Sequence, residues 1–98
     1  MSEVDIFIPA AETPERADFL EMVERLRSEE NRAISVFVRD EHPEAFEQCE
    51  HVRDMIEVQG EDILPITLLG SDIMGIYAYP TEEKLRRFTT ASTEEEAR

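Results

Sequence analysis

Ile63–Ala78 reads ILPITLLGSDIMGIYA. An apolar run over Ile63–Leu69, a turn at Gly70–Ser71–Asp72 and a second apolar run over Ile73–Ala78 predict two strands and a tight hairpin. So short a connection makes the pair antiparallel. Pro65 stands near the start of the first run, where a missing N–H costs the ladder least.

Upstream of the hairpin, strand and helix patterns alternate. Val4–Pro9, VDIFIP, has the short apolar character of a strand buried in a sheet. Thr13–Pro14–Glu15 then supplies an N-cap, a proline at the first helical position and acid in the first turn. Phe19, Met22, Val23 and Leu26 recur at the spacing of one helical face, Glu21 and Arg25 are set for an outer i,i+4 pair, and the helix should end near Glu30–Asn31. Ala33–Arg39, AISVFVR, is β-branched and aromatic and reads as the second strand. A second helix follows Asp40–Pro43, with a core stripe of Ala45, Cys49, Val52 and Ile56, Phe46 beside it, and Gly60 as its stop. Downstream of the hairpin, Thr81 caps a last short helix, TEEKLRRF, with Leu85 and Phe88 facing in.

The order β-α-β-α-β-β-α defines an α/β protein. Its two βα units are expected to give parallel strands through right-handed crossovers. A four-stranded mixed sheet covered by three helices is the compact solution, a thioredoxin-like arrangement. Residues 89–98, TTASTEEEAR, are polar and expected to fray, which sets the folded domain at residues 1–88.

The 98 residues are 41% hydrophobic and 35% charged, enough apolar material for one core under an ionic surface. No stretch approaches the roughly 18 apolar residues of a membrane span. The N-terminus carries acid where a secretory signal needs base, and the single Cys49 excludes an internal disulfide. A cytoplasmic protein is expected. Net charge is −14, which opposes a phosphate backbone, so direct DNA binding is disfavoured unless a dimer gathers a basic stripe. Nine of the ten basic residues are Arg and only Lys84 is Lys, a balance that a high-salt cytoplasm favours.

The loop after the first strand, Ala10–Asp18 (AAETPERAD), feeds a helix N-terminus at the carboxyl end of a central strand, where ligands collect in open α/β sheets. It holds no cysteine, so the dithiol exchange of redox thioredoxins cannot occur there. Glu12, Glu15 and Asp18 offer oxygen ligands to a hard cation; the plainer reading is first-turn acid, favourable by about 0.3–1 kcal/mol per residue. His42, Cys49 and His51 do not converge on one helical face, and Cys49 reads as a small core residue. No Ser-His-Asp set, P-loop, G-x-G-x-x-G or H-E-x-x-H occurs, so neither an enzyme nor a cofactor is indicated. Gly75, Tyr77 and Tyr79 belong to a candidate edge that a protein partner could use, or to ordinary edge packing.

From Val4 to Phe88 the sequence resembles the ArsD family, arsenical-resistance operon proteins that act as arsenite metallochaperones and weak trans-acting repressors. The resemblance is carried by IFIPA at Ile6–Ala10; by Pro43, Phe46, Gln48, Val52 and Ile56; by Gly60; by Leu64–Pro65 and Leu68–Leu69; and by Tyr79–Pro80 with Leu85 following. It implies a thioredoxin-like fold and a cis Leu64–Pro65 bond. It also implies a homodimer in the repressor role and, in the chaperone role, docking on an ArsA-type ATPase. The family's arsenite site is a vicinal cysteine pair with a third cysteine five residues on; the resemblance places Glu12, Thr13 and Asp18 at those positions. Thiolate capture of As(III) or Sb(III) is therefore not carried over, and the C-terminal cysteine pairs of some members are absent too. The expected function is a non-catalytic adaptor or regulator, with Ala10, Ala11, Glu12, Thr13, Tyr77 and Tyr79 as candidate partner-binding residues. The alternatives are a dimeric repressor of its own operon and a repurposed thioredoxin-fold protein with a carboxylate metal site.

Overall fold

The computed structural model describes residues 3–89. Strand β1 (Val4–Ile8) is followed by helix α1 (Pro14–Glu29), strand β2 (Ile34–Val38), helices α2 (Pro43–Gln48) and α3 (Glu50–Gln59), strands β3 (Ile66–Leu69) and β4 (Asp72–Gly75), and helix α4 (Glu82–Phe88). A single 3-10 turn, Glu61–Ile63, precedes the cis Leu64–Pro65 peptide bond. The strands lie in the order β2-β1-β3-β4. This is the expected four-stranded mixed α/β sheet.

Direction differs from expectation at one strand. β2 runs parallel to β1, in register Val4 with Ile34 through Ile8 with Val38, but β3 runs antiparallel to β1, pairing Val4 with Leu69 and Phe7 with Ile66. An antiparallel β3 must begin at the end of the sheet where β2 finishes. One long crossover helix would deliver the chain to the opposite end. The expected second helix is accordingly two short ones, broken at Cys49, whose backbone is extended (φ −90°, ψ 103°). Cys49 is thus a junction residue, half-buried against the core. The anchors there are Phe46 and Val52, while Ala45 and Ile56 are only partly covered.

The sheet alternates its side chains between two apolar clusters. Val4, Ile6 and Ile8 pack with Phe19, Val23 and Leu26 of α1, Ile34 and Val38 of β2, and Leu85 of α4. Phe7, Ile66 and Leu68 pack with Phe46, Val52, Ile63 and Leu64 on the other face. Phe7 stacks on Phe37 at 5.0 Å and meets Phe46 edge-on at 5.1 Å. Burial on both faces of central β1 explains its near-continuous apolar run. Asp5 is the exception, and burial, with Glu3 nearby, pushes its carboxyl above the ordinary range.

Helix α1 begins as expected, with Thr13 capping and Pro14 at the first position. It ends at Glu30, where Asn31 takes a left-handed φ of 56°. The outer pair expected between Glu21 and Arg25 is not formed; Arg25 bonds Glu82 of α4 instead. Arg86 of α4 pairs with Glu30 at 2.6 Å and with Glu82 at 2.6 Å, and Arg32 reaches Glu30 at 2.8 Å. Arg86 and Arg32 together hold the Glu30 carboxyl down at about 2. Thr89, expected to open the polar tail, is fully buried: its hydroxyl donates to the Leu85 carbonyl at 2.6 Å, and its own carbonyl accepts from Arg32. The rest of the expected tail, residues 90–98, lies outside the described residues.

Candidate functional site

The loop at residues 9–13 leaves the carboxyl end of β1, next to the middle of the sheet. Because Phe7 pairs with Ile66, the buried cis Pro65 lies at this same end. The β2–α2 turn and the segment leaving β4 come to it as well, since β2 runs parallel to β1 and β4 antiparallel to β3. Three connections therefore converge around the loop that the sequence singles out.

Ala10, Ala11, Glu12 and Thr13 are all exposed. The Thr13 hydroxyl accepts from the Arg16 N–H at 3.1 Å and the Thr13 carbonyl accepts from the Ala17 N–H at 3.1 Å. Thr13 is thereby committed to starting α1. Arg16 holds the loop: its Nη1 donates to the Ala10 carbonyl at 2.8 Å, and its Nη2 sits 3.7 Å from Glu41 in the β2–α2 turn. The only sequence signal for Arg16 is a long cation three residues after the cap, set among Glu12, Glu15 and Asp18.

In the adjoining turn, His42 occupies the N-cap position of α2 without capping it. Its Nδ1 instead accepts from the Val38 N–H at 3.0 Å, so that nitrogen carries no proton, and its ring meets Phe37 edge-on at 5.9 Å. Arg39 lies over the Phe46 ring at 5.1 Å with its Nε 3.3 Å from Glu61. This turn is tied inward, whereas the alanine loop presents backbone and small side chains to solvent.

The two tyrosines separate. Strand β4 is the expected sheet edge but ends at Gly75, so Tyr77 and Ala78 are not in the return strand. Tyr77 turns the chain with φ 68°, unusual for a bulky residue; its N–H donates to the Ile63 carbonyl at 2.9 Å and its hydroxyl to Gln59 at 3.0 Å. It is 58% exposed, on the side of α3. Tyr79 packs its ring 4.8 Å from that of Phe19, on the side of α1. With Glu15, Asp18, Met22 and Pro80 these two rings line a shallow groove. Burial raises the Tyr79 hydroxyl above the ordinary phenol range, with Arg16 opposing the shift.

The carboxylate metal site is not assembled. Among the described residues no three His, Cys, Asp or Glu side chains gather closely enough to hold a metal ion, and Glu12, Glu15 and Asp18 all project into solvent. His42, Cys49 and His51 likewise form no such group, with His51 exposed on α3. No helix among the described residues is long and apolar enough to cross a membrane.

Comparison with known proteins gives a consistent result. Among curated protein sequences none matches significantly. The arsenical resistance operon trans-acting repressor from Bacteroides vulgatus ATCC 8482 has a similar crystal structure, with a TM-score of 0.77 and 25% identity over 91% of this chain and 92% of that one. The family model for arsenical resistance operon protein ArsD matches residues 12–98. That match begins at Glu12 in the capping loop and takes in every element from α1 to α4. The chain belongs to the ArsD family.

Proposed function

We propose that this protein is a non-catalytic, ArsD-type adaptor or regulator of an arsenical-resistance system, acting in the cytoplasm through protein contact. The observation that carries this reading is the committed Thr13: where the resemblance places a metalloid-binding thiol, this chain has an N-cap hydroxyl bonded at 3.1 Å to its own helix. Exposed carboxylates, Glu12 and Asp18, stand at the two companion positions. Hard oxygen ligands are poor partners for a soft metalloid. The family's shape is retained without its chemistry, and shape is what a docking partner reads.

The docking face is the carboxyl end of the sheet, with Ala10, Ala11, Glu12 and Thr13 at its centre and Tyr77 and Tyr79 on its two flanks. Its partner is an ArsA-type ATPase. Small side chains let a partner approach the backbone closely, and the flanking tyrosines supply aromatic anchors of the kind that dominate interface energetics. Co-purification with an ArsA-type ATPase tests the reading. A complex at micromolar concentration, weakened by Ala11→Arg and by Tyr77→Ala, is the expected result; no complex with the unaltered protein refutes it.

A second reading, a dimeric repressor of its own operon, draws support from the similar structure, a trans-acting repressor. The net charge of −14 weighs against it. Gel shifts at low salt on the gene's own upstream region decide between the two, and the adaptor reading expects none.

A further inference from the structure

Helix α1 turns Glu15, Asp18 and Met22 to one side, because residues three, four and seven apart share a helical face. Opposite them lies the Tyr79–Pro80 segment, and between the two runs the shallow groove, of about 260 Å³. Its floor is apolar: Phe19 and Pro80 are buried, Met22 is half-buried, and the Tyr79 ring lies 4.8 Å from that of Phe19. Its rim is acidic. Glu15 and Asp18 are exposed, and Glu15 stands close enough to the Tyr79 hydroxyl to act on it across the groove.

The rim has no counter-ion of the chain's own. Among the described residues neither Glu15 nor Asp18 forms an ion pair, although α1 carries three arginines. Each of those is engaged elsewhere. Arg16 holds the Ala10 carbonyl at 2.8 Å and lies 3.7 Å from Glu41, Arg25 bonds Glu82, and Arg27 pairs with Glu24 at 3.7 Å. Unanswered negative charge around an apolar floor complements a cation carried on an apolar stem.

An arginine side chain has that form. Its stem can lie along Met22 and Pro80 while its guanidinium plane stacks on Tyr79. Its forked donors can reach both carboxylates, since Cβ atoms three residues apart on a helix stand about 5–6 Å from each other. A free small molecule is the poorer occupant, because the volume falls below the roughly 300–1,000 Å³ of ordinary ligand pockets and a shallow groove leaves such a ligand in water. We propose that this groove docks an arginine presented by a basic segment of a partner protein. The net charge of −14 draws such a segment toward the chain, as it repels nucleic acid. The inference rests on the docking reading for the identity of the partner, because Tyr79 flanks that face. The peptide measurement contains no ATPase, so its failure and a failure of co-purification are distinguishable.

Titration of the full-length protein with the peptide acetyl-Leu-Arg-Leu-Arg-amide, followed by amide chemical shifts, tests the proposal. Saturable shifts centred on residues 15–22 and 79–82 are expected, with affinity falling as salt rises. The citrulline version of the peptide, equal in size but uncharged, should bind about tenfold more weakly or worse. The double variant Glu15→Gln, Asp18→Asn should lose about tenfold as well, in keeping with two exposed charge contacts. Glu44→Gln combined with Glu57→Gln removes the same charge from α2 and α3 and should leave binding unchanged. All four positions are exposed, so no buried contact is lost in either variant. Shifts that never saturate, that spread over every acidic face, or that persist undiminished in Glu15→Gln, Asp18→Asn overturn the proposal. Groove shifts that follow protein dilution with no peptide present would assign the groove to a second copy of this chain and equally overturn it.

Discussion

Replacing Thr13 tests whether this residue starts a helix or awaits a ligand. Its hydroxyl accepts from the Arg16 N–H at 3.1 Å while its own backbone is extended (φ −133°, ψ 161°), the conformation of a working N-cap. Losing such a cap typically costs about 1 kcal/mol, within a range of roughly 0.5–2. Thr13 is exposed, so water partly replaces the bond, and about 1 kcal/mol is the figure to expect for Thr13→Ala. In a domain of this size that lowers the melting temperature by roughly 4–8 °C. Thr13→Asp and Thr13→Ser should match or exceed the unaltered protein, since both side chains cap well and the aspartate also meets the positive end of the helix. Thr13→Cys should fall close to Thr13→Ala, because a thiol accepts hydrogen bonds weakly. Urea unfolding followed by circular dichroism measures all four variants, with equal slopes expected and only the midpoints moving. A loss below about 0.3 kcal/mol for Thr13→Ala, or a Thr13→Cys as stable as Thr13→Ser, would refute the capping argument.

Two further outcomes follow from the α1–α4 contact. Leu85 is fully buried and is the single buried side chain of α4. Leu85→Ala should therefore cost about 3 kcal/mol, near the low end of the Leu→Ala range because a two-turn helix can partly settle into the gap. Urea midpoints report it, and a loss under about 1 kcal/mol would mean that α4 is not docked against α1. The Glu30 carboxyl is held at about 2, below its ordinary 4.5, by Arg86 and Arg32. A depressed carboxylate stabilises fully above its unfolded value and loses that contribution as pH falls through the folded one. The urea-midpoint difference between the unaltered protein and Glu30→Gln should thus be largest above about pH 5 and shrink toward pH 2. A difference that stays constant across that interval contradicts the pairing.

The strand and helix order was legible because each pattern is local. The Gly70 turn, the Thr13–Pro14 start and the Thr81 cap announce themselves within four residues, and all three stand in the structure. What escaped the sequence depends on contacts distant along the chain. The direction of β3 is settled by where the α2–α3 segment delivers the chain, and nothing in the stripe Ala45, Cys49, Val52, Ile56 marks the break at Cys49. Arg25 had a partner at hand in Glu21, yet it bonds Glu82, 57 residues away, because α4 packs beside α1. Tyr77 looked like strand because it is aromatic and follows Ile76, but its left-handed backbone is imposed by the bond to the Ile63 carbonyl. At the candidate site, the absence of thiols was readable from the sequence, whereas the exposure of Ala10 and Ala11 and the hold of Arg16 on Ala10 were not.

The central claim is that this ArsD-family chain keeps the shape and not the sulfur chemistry. The most direct measurement is equilibrium binding of trivalent arsenic to the purified protein carrying Cys49→Ala, with metal content per subunit read after gel filtration. The account predicts no stoichiometric retention. One tightly held arsenic per subunit would contradict it.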